Sequence, residues 1–293
     1  MDRLSGFPSP PPPVSPPLPN ARAYAAPPFR ATTEPRLLLG AEPFSLPGGP
    51  LGCLLIHGFT STPYDVRSCG EFLAERGIAA EGVLLAGHGT TPEDLARTRL
   101  PEWLDSIREA HARLRARVPT VYALGISLAA NFLVYLAQEL SFSGLILVGM
   151  PLHLKHRRSY RALYYAYRAV GKRYQRKWYQ RSLDPQIRQE RPNYDTIPLA
   201  CLRDATAAIE WSRRALPAVR CPVLAIQSTT DHALDAQSMA ELLARLGTTD
   251  TEVRWVQNRY HVVLIDHGKE EIFRDIHRFI TRHQLHASAA GER

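Results

Sequence analysis

The stretch TVYALGISLAAN, residues 120–131, sets strand-forming residues directly against a run of good helix formers, with one serine at the seam. A serine in mid-core is ordinarily a satisfied hydroxyl. At a point where a strand breaks sharply into a helix, the same side chain projects past the sheet edge, with the positive end of the helix dipole behind it. The chain repeats this alternation on both sides. LGCLLIHG (51–58), IAAEGVLLAG (78–87), SGLILVGM (143–150), CPVLAIQS (221–228) and TEVRWVQ (251–257) read as strands, the first a short apolar run ending in turn residues. Between them, helical patterns occupy 60–77, 101–118, 127–140, 207–216, 234–247 and 269–284. In the first of these, Thr and Ser residues offer N-caps, Pro63 lies near the first helical position and Gly77 is a stop. Strands alternating with helices of this length predict an α/β protein with a mostly parallel central sheet, covered by helices on both faces.

Composition narrows the class. The chain has 293 residues, 45% of them hydrophobic, enough for one large α/β core with an insertion. No apolar run approaches the ~20 residues that span a bilayer. The opening MDRLSGFPSPPPP lacks the apolar stretch of a secretory leader. Cys53, Cys69, Cys201 and Cys221 are scattered, with neither a zinc-site spacing nor a disulfide framework. The expectation is a reduced, cytoplasmic protein without metal or cofactor. Residues 1–35 hold 11 of the 24 prolines and read as a disordered or polyproline-like spacer. A flexible tail is expected over 286–293, leaving a core of 36–151 and 196–285.

The pentapeptide Gly125-Ile126-Ser127-Leu128-Ala129 follows the G-x-S-x-G pattern of a nucleophile elbow, with Ala at its last position. A serine hydroxyl attacks poorly unless a histidine takes its proton and a carboxylate orients that histidine. On such a fold the order is Ser, acid, His, each partner following a late strand. STTDHALD (228–235) offers Asp231, with Asp235 as second choice, and NRYHVVLID (258–266) offers His261. A developing oxyanion needs two backbone N–H groups. Leu128, after the serine, supplies one, and Phe59, after the His57-Gly58 turn, is the candidate for the other. His57 and His88 read as loop-ordering residues.

These segments resemble the α/β-hydrolase superfamily, and within it the bacterial carboxylesterases related to monoacylglycerol lipases. The resemblance rests on GAEPFSLPGGPLGCLLIHGFTSTP, GVLLAGHGTTPEDL, LGISLAAN, CPVLAIQSTTDHALD and YHVVLID, in the family's order, across about residues 38 to 285. It implies an α/β-hydrolase fold with a helical cap, and hydrolysis of a small-molecule carboxylic ester by a Ser127–Asp231–His261 triad. Phe59 and Leu128 would be the backbone donors. The chain departs from the family at Ala129-Ala130, where Gly-Gly is usual, and at LAGHG, where LPGHG is usual. A thioesterase or acyltransferase would show the same triad, and a non-catalytic binding protein could retain the fold.

One segment breaks the rhythm. Residues 152–195 contain no strand-like run and read as a helical cap insertion above the sheet's C-terminal edge. The net charge of +8 is concentrated there. Tyr160, Tyr164 and Tyr167 fall on one helical face. Tyr165, Tyr174, Trp178 and Tyr179 lie among Arg157, Arg158, Arg161, Arg168, Arg173 and Arg176. The plain reading packs the aromatic face over the pocket and solvates the arginines. The sharper one rests the cap on anionic membrane, aromatics at the interface and cations on phosphates. Nucleic acid is disfavoured, because no recognised binding motif accompanies the charge.

Overall fold

The computed structural model describes residues 36–155, 157–177, 185–257 and 260–290. The Pro-rich stretch over 1–35 therefore lies outside the described residues. Nine strands and nine helices are found among them: β1 (Phe44–Leu46), β2 (Leu51–Ile56), α1 (Tyr64–Ala74), β3 (Ile78–Val83), α2 (Pro92–Arg97), α3 (Leu100–Arg115), β4 (Thr120–Ile126), α4 (Leu128–Leu136), β5 (Gly144–Val148), α5 (Arg157–Ala169), β6 (Tyr174–Arg176), α6 (Pro185–Glu190), β7 (Thr196–Pro198), α7 (Leu202–Ala215), β8 (Val223–Ser228), α8 (Gln237–Arg245), β9 (Thr251–Val256) and α9 (Lys269–Ala290). Seven strands form one sheet in the order β1-β3-β2-β4-β5-β8-β9. All its pairings are parallel except that of β1 with β3.

The burial of the strands shows why continuous apolar runs were needed. Strands β2, β3, β5 and β8 are buried at every residue, as expected when helices cover both faces. Alternate side chains then serve two cores. From β2, Leu54 and Ile56 join Trp103, Phe132 and Leu133 on one face. Cys53 and Leu55 join Val66, Leu73, Phe273 and Phe279 on the other. Strand β4 sits between β2 and β5, so the sheet's centre leads straight into Ser127.

Several expectations needed correction. Thr and Ser do not cap α1: Pro63 holds the N-cap position without a side-chain hydrogen bond. Strand β1 and helix α2 went unread. β1 is three residues between prolines, too short to alternate. The signal for α2 was present in Thr91-Pro92-Glu93-Asp94: Thr91 accepts from the Asp94 N–H at 3.2 Å, Pro92 opens the helix, and two acids follow. The insertion is not purely helical, since β6 pairs antiparallel with β7 and carries it past 195 to Pro198. Partners twenty residues apart leave no local periodicity to read. Helix α9 continues through Ala290, where a flexible tail was expected from 286.

Gly125 is a close-packing position. A Cβ there would lie 2.7 Å from the Ala129 carbonyl carbon and 2.7 Å from the Ala130 nitrogen, backbone atoms of α4 that cannot swing aside. Gly125→Ala is expected to cost about 1–3 kcal/mol through overpacking, read as a lower urea midpoint. An unchanged midpoint would contradict the packing described.

Candidate active site

The β4-to-α4 junction turns on one residue. Ser127 has φ 55° and ψ −124°, and its N–H donates to the Val148 carbonyl at 2.7 Å. Among the described residues, only Ser127 and Thr60 are non-glycine residues with positive φ. Both line one cavity of about 230 Å³. Backbone strain held in place by surrounding structure clusters at functional sites.

Asp231 follows β8 by three residues and is 2% exposed. One carboxylate oxygen accepts the Ala233 and Leu234 amides at 2.8 and 3.0 Å. The other accepts the His261 Nδ1–H at 2.7 Å. Burial alone would raise the Asp231 pKa. The His261 charge and hydrogen bond, with the two amides, outweigh burial and hold it below the ordinary value. With Nδ1 donating, Nε2 is the free ring nitrogen of His261, and His261 lines the same cavity as Ser127. The Ser127 hydroxyl makes no hydrogen bond with His261 or any other described residue. Such bonds are often long before substrate binds.

Gly149 is a supporting residue that the sequence reading missed. It has φ +57°, and a Cβ there would lie 3.2 Å from His261 Cε1 and 3.4 Å from Nδ1. A glycine ending the strand before the insertion was the available signal.

Phe59 and Leu128 also line the cavity. Leu128 is the first residue of α4, where an N–H has no intrahelical partner. A Cβ built on Gly58 would stand 3.6 Å from the Ser127 Cβ, so the Phe59 loop abuts the serine turn. Neither amide donates to a described acceptor.

The other residues singled out by sequence lie elsewhere. His57 bonds Gly58 O at 2.8 Å through Nδ1 and accepts the Leu85 N–H at 3.2 Å through Nε2. Burial chiefly brings it down to about 4, so it is neutral. His88 is buried, held well below its usual range mainly by burial, and bonds Ala86 O at 3.0 Å. Neither lines the cavity that holds Ser127. Asp235 accepts the Gln237 N–H at 3.0 Å in the turn just before α8, and it does not line the cavity. Among the described side chains, α5 adds nothing to the cavity wall; the insertion contributes Leu154, Lys177, Arg191 and Ile197. Arg157, Arg158, Tyr160 and Arg161 have side chains outside the described set, as do Trp178 and Tyr179 entirely.

The cavity has an apolar wall, including Leu154, Ile197, Leu202, Ala205, Ile209 and Leu234, and a polar group of Ser61, Asp65, Lys177 and Arg191. Arg191 Nε donates to Asp65 Oδ1 at 2.7 Å and Nη2 to Ser61 Oγ at 3.1 Å. Ser61 in turn donates to Asp65 Oδ2 at 2.5 Å. Among the described residues, no three His, Cys, Asp or Glu side chains are grouped to hold a metal ion.

Residues 52–268 match the hydrolase family described as serine aminopeptidase, S33. A carboxylesterase of Bacillus subtilis (strain 168) is 25% identical over 242 residues, 82% of this chain and 96% of that protein. A thermostable monoacylglycerol lipase of Bacillus sp. (strain H-257) is 27% identical over 250 residues, 84% and 97% respectively. A solved structure reported for the metagenome-derived lipolytic enzymes LipS and LipT superposes with a TM-score of 0.78 at 27% identity, covering 84% of this chain and all of that one. The Paleococcus ferrophilus monoacylglycerol lipase shares the fold, with a TM-score of 0.71 at 17% identity, covering 83% and 98%. The chain belongs to the S33 family of α/β-hydrolases, and it is a hydrolase of the esterase and lipase type.

Because the Asp231 pKa is depressed in the folded state, its contribution to stability is present above the unfolded value and lost as pH falls through the folded one. Asp231→Asn should therefore be less stable than wild type at neutral pH. The gap should close as the solution is acidified below the ordinary value of 3.8, measured by denaturant titration at each pH. A gap independent of pH would contradict the ionised Asp231 carboxylate.

Proposed function

We propose that the chain is a serine hydrolase that cleaves carboxylic esters through an acyl-enzyme intermediate, with Ser127, Asp231 and His261 as its triad. The observation that carries this is the sharing of one cavity by Ser127, on its strained turn, and His261, held by Asp231. His261 Nε2 takes the Ser127 proton as the hydroxyl oxygen attacks the ester carbonyl. Asp231 fixes the ring and stabilises the imidazolium. The Phe59 and Leu128 amides receive the oxyanion. The tetrahedral intermediate collapses, His261 protonates the departing alcohol, and a water activated by His261 releases the acid.

The substrate reading is a short- to medium-chain acyl ester or a monoacylglycerol-like lipid. The apolar wall supports an acyl chain, and two relatives are named carboxylesterase and monoacylglycerol lipase. An aminopeptidase needs an anionic group to receive the substrate's α-ammonium. Here Asp65 is neutralised by Arg191, and Lys177 adds a further cation to the wall. Cytoplasmic residence remains part of the proposal: all four cysteines are unpaired, and no described helix is long and apolar enough to cross a membrane.

Ser127→Ala should lower kcat for 4-nitrophenyl butyrate at least about 10⁴-fold with the fold intact by circular dichroism. Activity within tenfold of wild type would remove Ser127 from the mechanism.

Peripheral contact with anionic lipid is proposed for α5. Its described side chains are all at least partly exposed, Tyr165 at 57%. Arg168 and Lys172 lie over the rings of Tyr164 and Tyr167 at 5.8 and 4.4 Å. Co-sedimentation with vesicles should rise with anionic lipid and fall with salt. Binding indifferent to both would count against this contact.

A further inference from the structure

Lys177 is unused by the chemistry above, yet it faces the reaction cavity. Its placement follows from the short ladder that holds it. In β6, Gln175 is buried and Arg176 exposed, so the next residue turns inward again with the strand period. The Lys177 N–H is fixed to the Asp195 carbonyl at 2.8 Å, continuing the β6–β7 pairing. The side chain thus enters the cavity wall from the insertion, beside Arg191 and Ile197.

Among the described residues, no carboxylate forms an ion pair with it. Asp65 and Arg191 satisfy each other through a two-point ion pair, with Ser61 completing the Asp65 shell. Among the described residues, Lys177 has neither an ion pair nor a side-chain hydrogen bond. His261, across the same cavity, has its own carboxylate in Asp231. Among the described residues, Lys177 is the cation of the pocket's polar side that stands outside an ion pair. Lys177 is half-buried, and an ammonium partly withdrawn from water attracts an anion more strongly than a fully exposed one. Burial, and then Arg191, bring Lys177 down to about 7, with Asp65 and Asp195 opposing them.

We propose that Lys177 makes an anion subsite in this pocket, so that the preferred esters carry one carboxylate on the part of the molecule held beneath the insertion. Among the described lining residues the unpaired charge is that of Lys177 alone, and a singly charged carboxylate complements it better than a phosphate dianion. The inference deepens the esterase reading and rests on it. The subsite receives the carboxylate by a charge-assisted hydrogen bond, while the ester carbonyl is presented to Ser127.

The test compares esters differing only by that charge. Mono-4-nitrophenyl suberate against 4-nitrophenyl octanoate places it on the acyl side. 6-(Butyryloxy)hexanoate against hexyl butyrate places it on the alcohol side. For one of these pairs, the ratio of kcat/KM, charged over neutral, should fall at least about tenfold in Lys177→Met and be largely restored in Lys177→Arg. In the wild-type protein that ratio should rise as pH falls from about 8 to about 6. Lys177 protonates over that range, the substrate carboxylate stays ionised, and ionisations common to both esters cancel. Ratios that move less than about twofold in Lys177→Met for both pairs would overturn the subsite, even with robust ester hydrolysis. If no ester were turned over, the esterase reading would fail first, and calorimetric titration of Ser127→Ala with monomethyl suberate would still decide the subsite. Binding weakened about tenfold or more by adding Lys177→Met supports it, and unchanged binding overturns it.

Discussion

A serine forced to a positive φ at the end of the central strand is the constraint on which the rest of this molecule depends. An L-residue at φ 55° and ψ −124° costs about 1–3 kcal/mol and persists only where its surroundings over-determine it. Here they do so from three sides. Strand β4 is paired along its length with β2 and β5. The Ser127 N–H is tied to Val148 on β5, and the Ala130 N–H closes the first turn of α4 onto the Ser127 carbonyl at 2.9 Å. Gly125, lacking a Cβ, lets α4 fold back against the strand that precedes it. The same turn leaves the Leu128 amide at the head of the helix with no internal acceptor.

The second strained residue, Thr60, couples the insertion to this turn. Its carbonyl accepts the Tyr194 N–H at 3.2 Å, and the Tyr194 hydroxyl bridges the Thr90 N–H and the Gly87 carbonyl at 2.9 and 3.0 Å. Thr62 adds a bond to the Pro192 carbonyl at 2.9 Å, and Arg191 clasps buried Asp65. The segment 191–194 thus fastens the far end of the insertion to the loop bearing Phe59. The wall holding Lys177 and the loop beside Ser127 are parts of one hydrogen-bonded unit. The proposed anion subsite and the proposed nucleophile would thus share a mechanical base.

The central architecture was legible because parallel strands buried on both faces must be continuously apolar, and the intervening helices must carry a 3.6-residue stripe. β2, β4, β5 and β8, with the helices between them, announce themselves in this way. The strand-then-helix context of Ser127, and the positions of Asp231 and His261 after late strands, were readable for the same reason. What escaped depends on contacts between residues distant in sequence. β6 and β7 pair across twenty residues, Gly149 matters only through a ring 112 positions later, and the Arg191–Asp65 clasp spans 126 positions. Lys177 was invisible as a pocket residue because the arginine-rich segment around it reads as a solvated surface. The aromatic periodicity of α5 was real, but among described side chains it does not form the pocket's roof.

Covalent acylation of the strained serine is the step that distinguishes the proposed mechanism from a retained but inactive fold. Intact-mass and peptide-level spectrometry after quenching a reaction with 4-nitrophenyl butyrate, or after labelling with a fluorophosphonate, asks this directly. The account predicts a single adduct on the peptide containing Ser127, absent from the Ser127→Ala protein. An adduct on another residue, or turnover with no adduct trapped by either reagent, would contradict it.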